Sequence, residues 1–223
     1  MPFARISPRN SARVLLVSAF APELAPLVRW LESPAQRRLR RSVACQPVGI
    51  GAVDAAAGAA TALALHAPSA VVFVGTAGSY GSVPALDGVA VARTLHLASG
   101  SEAAGGSYFP GPMVRRAVTD AGLRRALLAA GSGVAVASDV ATPLGITRSR
   151  RLATRLAAPT GATVENLEAF AVARAAAAAG IADVAAVLGI ANRVGPRGHQ
   201  EWRARHVAAS RAACRLVWSF VRR

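Results

Sequence analysis

Short β-branched apolar runs alternate with alanine-rich helical stretches along almost all of this 223-residue chain. That alternation constrains the fold more than any other feature. Arg13 to Val17, Ser42 to Val48, Ala70 to Val74, Gly88 to Leu97, Val134 to Ala137 and Val184 to Ile190 read as strands. Between and after them, Glu23 to Leu31, Val53 to His66, Met113 to Ala130, Arg148 to Ala157, Val164 to Ala179 and Glu201 to Val221 read as helices. In the first of these helices, Leu24, Leu27, Val28 and Leu31 fall on one face. In the second, alanine propensity carries the reading, with Pro68 just beyond its end. Strands that are apolar throughout need both faces covered. The expected architecture is therefore α/β, a central mixed, largely parallel β-sheet flanked by helices. The length suits a single domain over 1–223, with residues 1–12 expected as a flexible N-terminal extension. In such sheets ligands bind beyond the carboxyl ends of strands. This directs attention to residues 18–23, 75–81, 138–142 and 191–198, and residues 99–112 read as a long Gly/Ser/Pro loop.

Composition closes off several classes. All 26 basic residues are arginine, and against 11 acids they give a formal charge of +15. Aromatic residues make up only 5% and do not interleave with the arginines, so no stacking surface for nucleic acid is expected. The run Arg37-Arg38-Leu39-Arg40-Arg41 reads as a solvated face. Cys45 and Cys214 are too few for a disulfide scaffold or a cysteine zinc site, and His66, His96, His199 and His206 lack metal-cluster spacing. A reducing, cytoplasmic location is expected. The apolar stretch Val14 to Ala21 is short and followed at once by Pro22-Glu23, unlike a signal peptide. Ala171 to Ala191 is broken by Arg174, Gly180 and Asp183, so it reads as helix, turn and strand, not a membrane span.

Five segments carry the chemistry: Ser18-Ala19-Phe20-Ala21-Pro22-Glu23, Gly49-Ile50-Gly51-Ala52-Val53-Asp54, Gly75-Thr76-Ala77-Gly78, Val164-Glu165-Asn166-Leu167-Glu168-Ala169 and Gly189-Ile190-Ala191-Asn192-Arg193-Val194-Gly195. The Gly49/Gly51 pair has neither the spacing nor the context of a dinucleotide fingerprint and reads as a turn or a close-packing site. Taken in order, the segments resemble the purine nucleoside phosphorylase superfamily and, within it, the nucleoside hydrolases. The resemblance runs from about Arg13 to Trp202. Its end, Asn192-Arg193-Val194-Gly195-Pro196-Arg197 followed by Trp202, is most similar to the futalosine hydrolase branch.

The resemblance implies a role for each segment. Glu23 corresponds to the carboxylate that orients and deprotonates the attacking water, and Glu168 to the one that binds the ribose hydroxyls. Asn192 corresponds to the residue that contacts the leaving purine. Thr76, Ala77 and Gly78 match the loop beside the ribose and nucleophile. Val140, Ala141 and Thr142 match the lining of the base pocket. Asn166 and Leu167 belong to the sugar-binding segment, with Leu167 in place of the usual methionine. No metal and no organic cofactor are implied, and a homodimer or larger homo-oligomer is.

The residue types suit that chemistry independently. Breaking an N-glycosidic bond builds positive charge on the sugar and negative charge on the purine. Carboxylates stabilise the first and a hydrogen-bond donor the second, while a carboxylate can also serve as general base for water. An asparagine amide offers N–H groups to purine N7 and O6, which favours a 6-oxopurine nucleoside, inosine-like or futalosine-like, and release of hypoxanthine; the resemblance implies futalosine or a close relative. The sequence departs from the family pattern at Leu188 (commonly arginine), Ala169 (glycine), Ala191 (serine), Gly198 (aspartate) and Asp54 (asparagine), and Ala21 and Pro22 replace acids. A phosphorylase, a methylthioadenosine/adenosylhomocysteine-type nucleosidase and a non-catalytic binding protein of the same fold are the alternatives.

Overall fold

The computed structural model describes residues 13–131 and 133–223. The expected extension over residues 1–12 lies outside the described residues. The strands are β1 (Val14–Ser18), β2 (Val43–Pro47), β3 (Ala70–Ser79), β4 (Val89–Ala98), β5 (Arg116–Val118), β6 (Ala135–Pro143), β7 (Val164–Glu165) and β8 (Asp183–Arg193). The helices are α1 (Ala21–Glu32), α2 (Ala52–His66), α3 (Gly100–Ala103), α4 (Ala121–Ala130), α5 (Arg150–Ala157), α6 (Ala169–Ala178) and α7 (Gly198–Val221).

All eight strands join one mixed sheet, as the alternation requires. Parallel pairs are β1–β2, β1–β3, β3–β8, β4–β6 and β6–β7, and antiparallel pairs are β3–β7, β4–β5 and β4–β8. The pairings β3–β8–β4–β6–β7–β3 close a ring. β3 lies at the centre of this arrangement and all ten of its residues are buried, which accounts for its continuous apolar run. One core layer packs Leu15, Val17, Val71, Phe73, Leu188 and Ile190 against α2 and α6. The opposite layer packs Leu16, Val72, Val74 and Val187 against α1 and α7. Each such side chain removed from water contributes about 1.5–3 kcal/mol before chain entropy is set against it.

Two features bring backbone unusually close to the sheet. A Cβ on Gly189 would stand 2.0 Å from the Ala209 carbonyl oxygen, so this glycine lets α7 lie directly on β8. A Cβ on Gly58 would stand 2.0 Å from the Val48 carbonyl oxygen, which brings α2 against the end of β2.

The strands run further than their β-branched cores suggest. β3 continues to Ser79, β6 to Pro143 and β8 to Arg193. Two expected helices are shorter than their apolar periodicity implies. Met113 to Ala130 contains strand β5, paired with β4 on the sheet edge, and the helix begins only after Asp120, whose carboxylate accepts from Leu123 N at 2.7 Å. Val164 to Ala179 contains β7, and its helix begins at Ala169. A short helical turn, α3, interrupts the 99–112 loop.

Candidate active site

The carboxyl-terminal parts of β1, β3, β7 and β8 meet the N-termini of α1, α2, α6 and α7 around a cavity of about 280 Å³. Its wall includes Glu23, Thr76, Ala77, Gly78, Asn166, Leu167, Glu168 and Asn192, eight of the residues picked out in the sequence. Ile50, Ile146, Glu165, His199 and Trp202 complete much of the rest. A larger surface groove of about 900 Å³ between α2 and α6 is lined, among the described residues, by apolar side chains with Arg174 as the one charged group.

Glu23 stands in the first turn of α1, 5% exposed. The Ser18 hydroxyl donates to its Oε2 at 2.6 Å and the Thr76 hydroxyl to its Oε1 at 2.8 Å. Burial pushes its carboxyl above the usual range, while the Ser18 and Thr76 hydroxyls and the nearby His206 pull it back. The Cys214 thiol donates to the Glu23 carbonyl oxygen at 3.1 Å, fixing this turn to α7.

Glu168 is not mid-helix, as the apolar periodicity suggests, but at the N-cap position of α6. Asn166 causes the difference. Its Oδ1 accepts from Glu168 N at 3.0 Å and from Ala169 N at 2.8 Å, which ends β7 and starts the helix. Its Nδ2 donates to the Thr76 carbonyl oxygen at 3.0 Å and to Glu168 Oε2 at 3.1 Å. The amide is thereby saturated within the protein, so Asn166 holds Glu168 in place instead of offering itself to a ligand. Glu168 Oε1 accepts from Gly51 N at 2.9 Å, at the N-terminus of α2. Gly51 has φ +83°, a conformation that suits glycine and turns this amide toward the carboxylate. Burial, reinforced by the negative charge of Glu23, raises the Glu168 carboxyl to about 7.

Thr76 is the junction. Its hydroxyl serves Glu23 and its carbonyl receives Asn166, so one hydrogen-bonded path runs Glu23–Thr76–Asn166–Glu168. Among the described residues no arginine or histidine lies within ion-pair distance of either carboxylate. Leu188, where the resemblance leads one to expect arginine, is fully buried in β8. Two buried carboxylates without a partner cation form a site that favours positive charge developing between them.

Asn192 faces the cavity from a bulge in β8, where the register against β3 slips so that Gly78 lies opposite Asn192. Its Nδ2 donates to the Arg193 carbonyl oxygen at 3.0 Å. A Cβ on Gly78 would lie 2.8 Å from this Nδ2, and one on Gly198 3.0 Å from it, so both glycines make room for the amide. Val140, Ala141 and Thr142 are not in the wall. They are fully buried in β6, and Ala141 supports the site from behind by accepting from Asn166 N at 3.0 Å. The resemblance assigns them to the lining of the base pocket, but β6 continues past Ala137 and carries them through the sheet. Glu165 accepts from the Tyr80 hydroxyl at 2.8 Å and from Thr147 N at 3.0 Å, a structural use of a buried acid.

Gly51 and Trp202 are absent from the site residues that sequence reasoning selects. In the sequence Gly51 reads as a turn glycine, and its amide acquires a role only through Glu168, 117 positions away. The Trp202 indole donates to the Thr76 hydroxyl at 3.1 Å. The aromatic spacing His199, Trp202, His206 was the available signal, since those three rings stack along one face of α7. Among the described residues, no three His, Cys, Asp or Glu side chains group as a metal ion would require.

This fold and site define an α/β protein of the nucleoside phosphorylase type. The chain belongs to the phosphorylase superfamily, whose sequence profile matches residues 35–222. A search of curated proteins by sequence gives no match. Among solved structures, a mutant of Helicobacter pylori futalosine hydrolase superposes with a TM-score of 0.84 at 14% identity, over 95% of this chain and 99% of the other. Helicobacter pylori 5′-methylthioadenosine/S-adenosylhomocysteine nucleosidase gives 0.83 at 13% identity, over 95% and 98%. The Neisseria meningitidis enzyme of that name, in complex with methylthio-immucillin-A, gives 0.80 at 17% identity, over 93% and 97%. No described helix is long and apolar enough to cross a membrane.

Proposed function

We propose that this protein is a nucleosidase that hydrolyses the N-glycosidic bond of a purine nucleoside. The observation that carries the reading is the pair of buried carboxylates, Glu23 and Glu168, opening into one cavity with Asn192 and, among the described residues, without a neutralising cation. As the bond to the base lengthens, the sugar becomes oxocarbenium-like. Glu168 accepts the ribose hydroxyls and stabilises that charge. Glu23 orients a water toward C1′ and takes its proton. Asn192 donates to purine N7 and stabilises the departing base. Ala77, Gly78 and Leu167 give the sugar an apolar floor, and Thr76 holds the two acids in register.

Water, not phosphate, is the nucleophile in this reading. Phosphorolysis needs cationic groups around the anion, and among the described residues no arginine lines the cavity. Incubation with and without phosphate, with the sugar identified as ribose or ribose 1-phosphate, tests this directly.

For the base, the resemblance at Val194-Gly195-Pro196-Arg197 and Trp202 supports a futalosine-like 6-oxopurine nucleoside, a role in menaquinone biosynthesis and a cytoplasmic enzyme that works as a homo-oligomer. A second reading, a 6-aminopurine nucleoside of the methylthioadenosine type, is favoured by the bonding of Asn192. One amide N–H is taken by the Arg193 carbonyl. The amide then presents one donor and one acceptor, the pair that matches N7 and a 6-amino group. Base release from futalosine, inosine, methylthioadenosine and adenosylhomocysteine, compared as kcat/KM, decides between them.

A further inference from the structure

Trp202 takes no part in the steps above, yet it is built into the site. Its indole lies between His206, at 4.4 Å between ring centroids, and His199, at 6.0 Å, with both rings nearly parallel to it. Its Nε1–H donates to the Thr76 hydroxyl at 3.1 Å, and that hydroxyl donates to Glu23 Oε1 at 2.8 Å. An indole nitrogen can only donate, and a hydroxyl has one hydrogen. With the indole N–H directed at the oxygen of Thr76, the hydroxyl hydrogen is turned away from Trp202 and toward the carboxylate.

We propose that Trp202 is a positioning residue for Glu23: it fixes the rotamer of the Thr76 hydroxyl so that this hydroxyl always donates to the carboxylate. The proposal rests on the reading of Glu23 as the group that activates water. It makes the start of α7, distant in sequence, part of the control over that acid. The titratable groups facing Glu23 are Glu168 at the start of α6 and His206 and Cys214 on α7. A Trp202→Phe substitution leaves all three, and the ring stack, in place while deleting one N–H.

The test is a pH titration of the Glu23 carboxyl carbon by NMR in protein labelled at glutamate, assigned with Glu23→Gln. In Trp202→Phe the Glu23 midpoint is expected to rise by about half a pH unit or more, because the ionised form loses a supported hydrogen bond. Thr76→Val should raise it further and Thr76→Ser should restore it. In the unsubstituted protein the indole Nε1–H resonance of Trp202 should move with the Glu23 midpoint, while those of Trp30 and Trp218 do not, an arm that needs no variant. In turnover, Trp202→Phe should lower kcat about tenfold with KM little changed and shift the acidic limb upward. A Glu23 midpoint that moves in Thr76→Val but not in Trp202→Phe overturns the proposal, as does an indole resonance indifferent to Glu23. If the wild-type protein releases no base, the nucleosidase reading fails, while the two NMR arms still decide the role of Trp202.

Discussion

Glu168 sets activity and stability against each other. Its carboxyl titrates at about 7 in the fold and at an ordinary value near 4.5 in the unfolded chain. The folded state therefore holds its proton more tightly. The stability this confers is complete below about pH 4.5 and is lost as pH rises through 7, a change on the order of 3 kcal/mol. Glu23 and Glu165 are raised as well and add in the same direction. The ribose, however, needs the ionised acid. Turnover should rise with pH through about 7 while resistance to urea falls over the same interval. Glu168→Gln should remove the Glu168 share of that slope in urea midpoint against pH and leave the part due to Glu23 and Glu165, whatever its absolute stability. Asn192→Ala should reduce kcat by about 10²–10³-fold at nearly unchanged fold stability, the loss expected for one donor to a developing anion. Steady-state kinetics beside thermal melting separates the two effects.

At the level of elements, the start of α6 shows how much rides on a single cap. Asn166→Asp keeps an oxygen for Glu168 N and Ala169 N but replaces the donor to Glu168 and Thr76 with a second negative charge. The helix should survive, and circular dichroism should be unchanged. The acidic limb of activity should move up by a unit or so as Glu168 becomes harder to ionise. Gly189→Ala should destabilise by 1–3 kcal/mol or more in urea denaturation, because α7 cannot approach β8 past a Cβ 2.0 Å from the Ala209 carbonyl oxygen. The alternation of strand and helix was readable in the sequence because buried β-branched runs such as Val71 to Val74 have no other stable use. Where one apolar stretch crosses from strand to helix, as at Val164 to Ala169, periodicity alone merges the two. The break is made by Asn166, whose bond to the Thr76 carbonyl oxygen belongs to tertiary structure. The edge strand Arg116–Val118 is masked in the sequence in the same way, because its partner is on β4.

The site of the whole molecule was legible where a residue type is rare in its surroundings: an acid after an apolar strand at Glu23, another among apolar neighbours at Glu168, and an amide at the end of β8. What could not be read were contributions made by backbone or by distant aromatic groups. The Gly51 amide and the Trp202 indole acquire meaning only when α2 and α7 converge on the cavity. The extended ends of β3, β6 and β8 likewise follow from pairing within the closed ring, which moves Val140 to Thr142 from the cavity wall to its support. The most direct test of the account is base release by the purified protein, without phosphate, from the purine nucleoside panel, alongside Glu23→Gln and Glu168→Gln variants shown by circular dichroism to be folded. A free purine base and a free ribose sugar are expected from at least one substrate, with kcat reduced about 10²-fold or more in each variant. Turnover that persists undiminished in either variant, or base release that begins only when phosphate is added, would contradict the account.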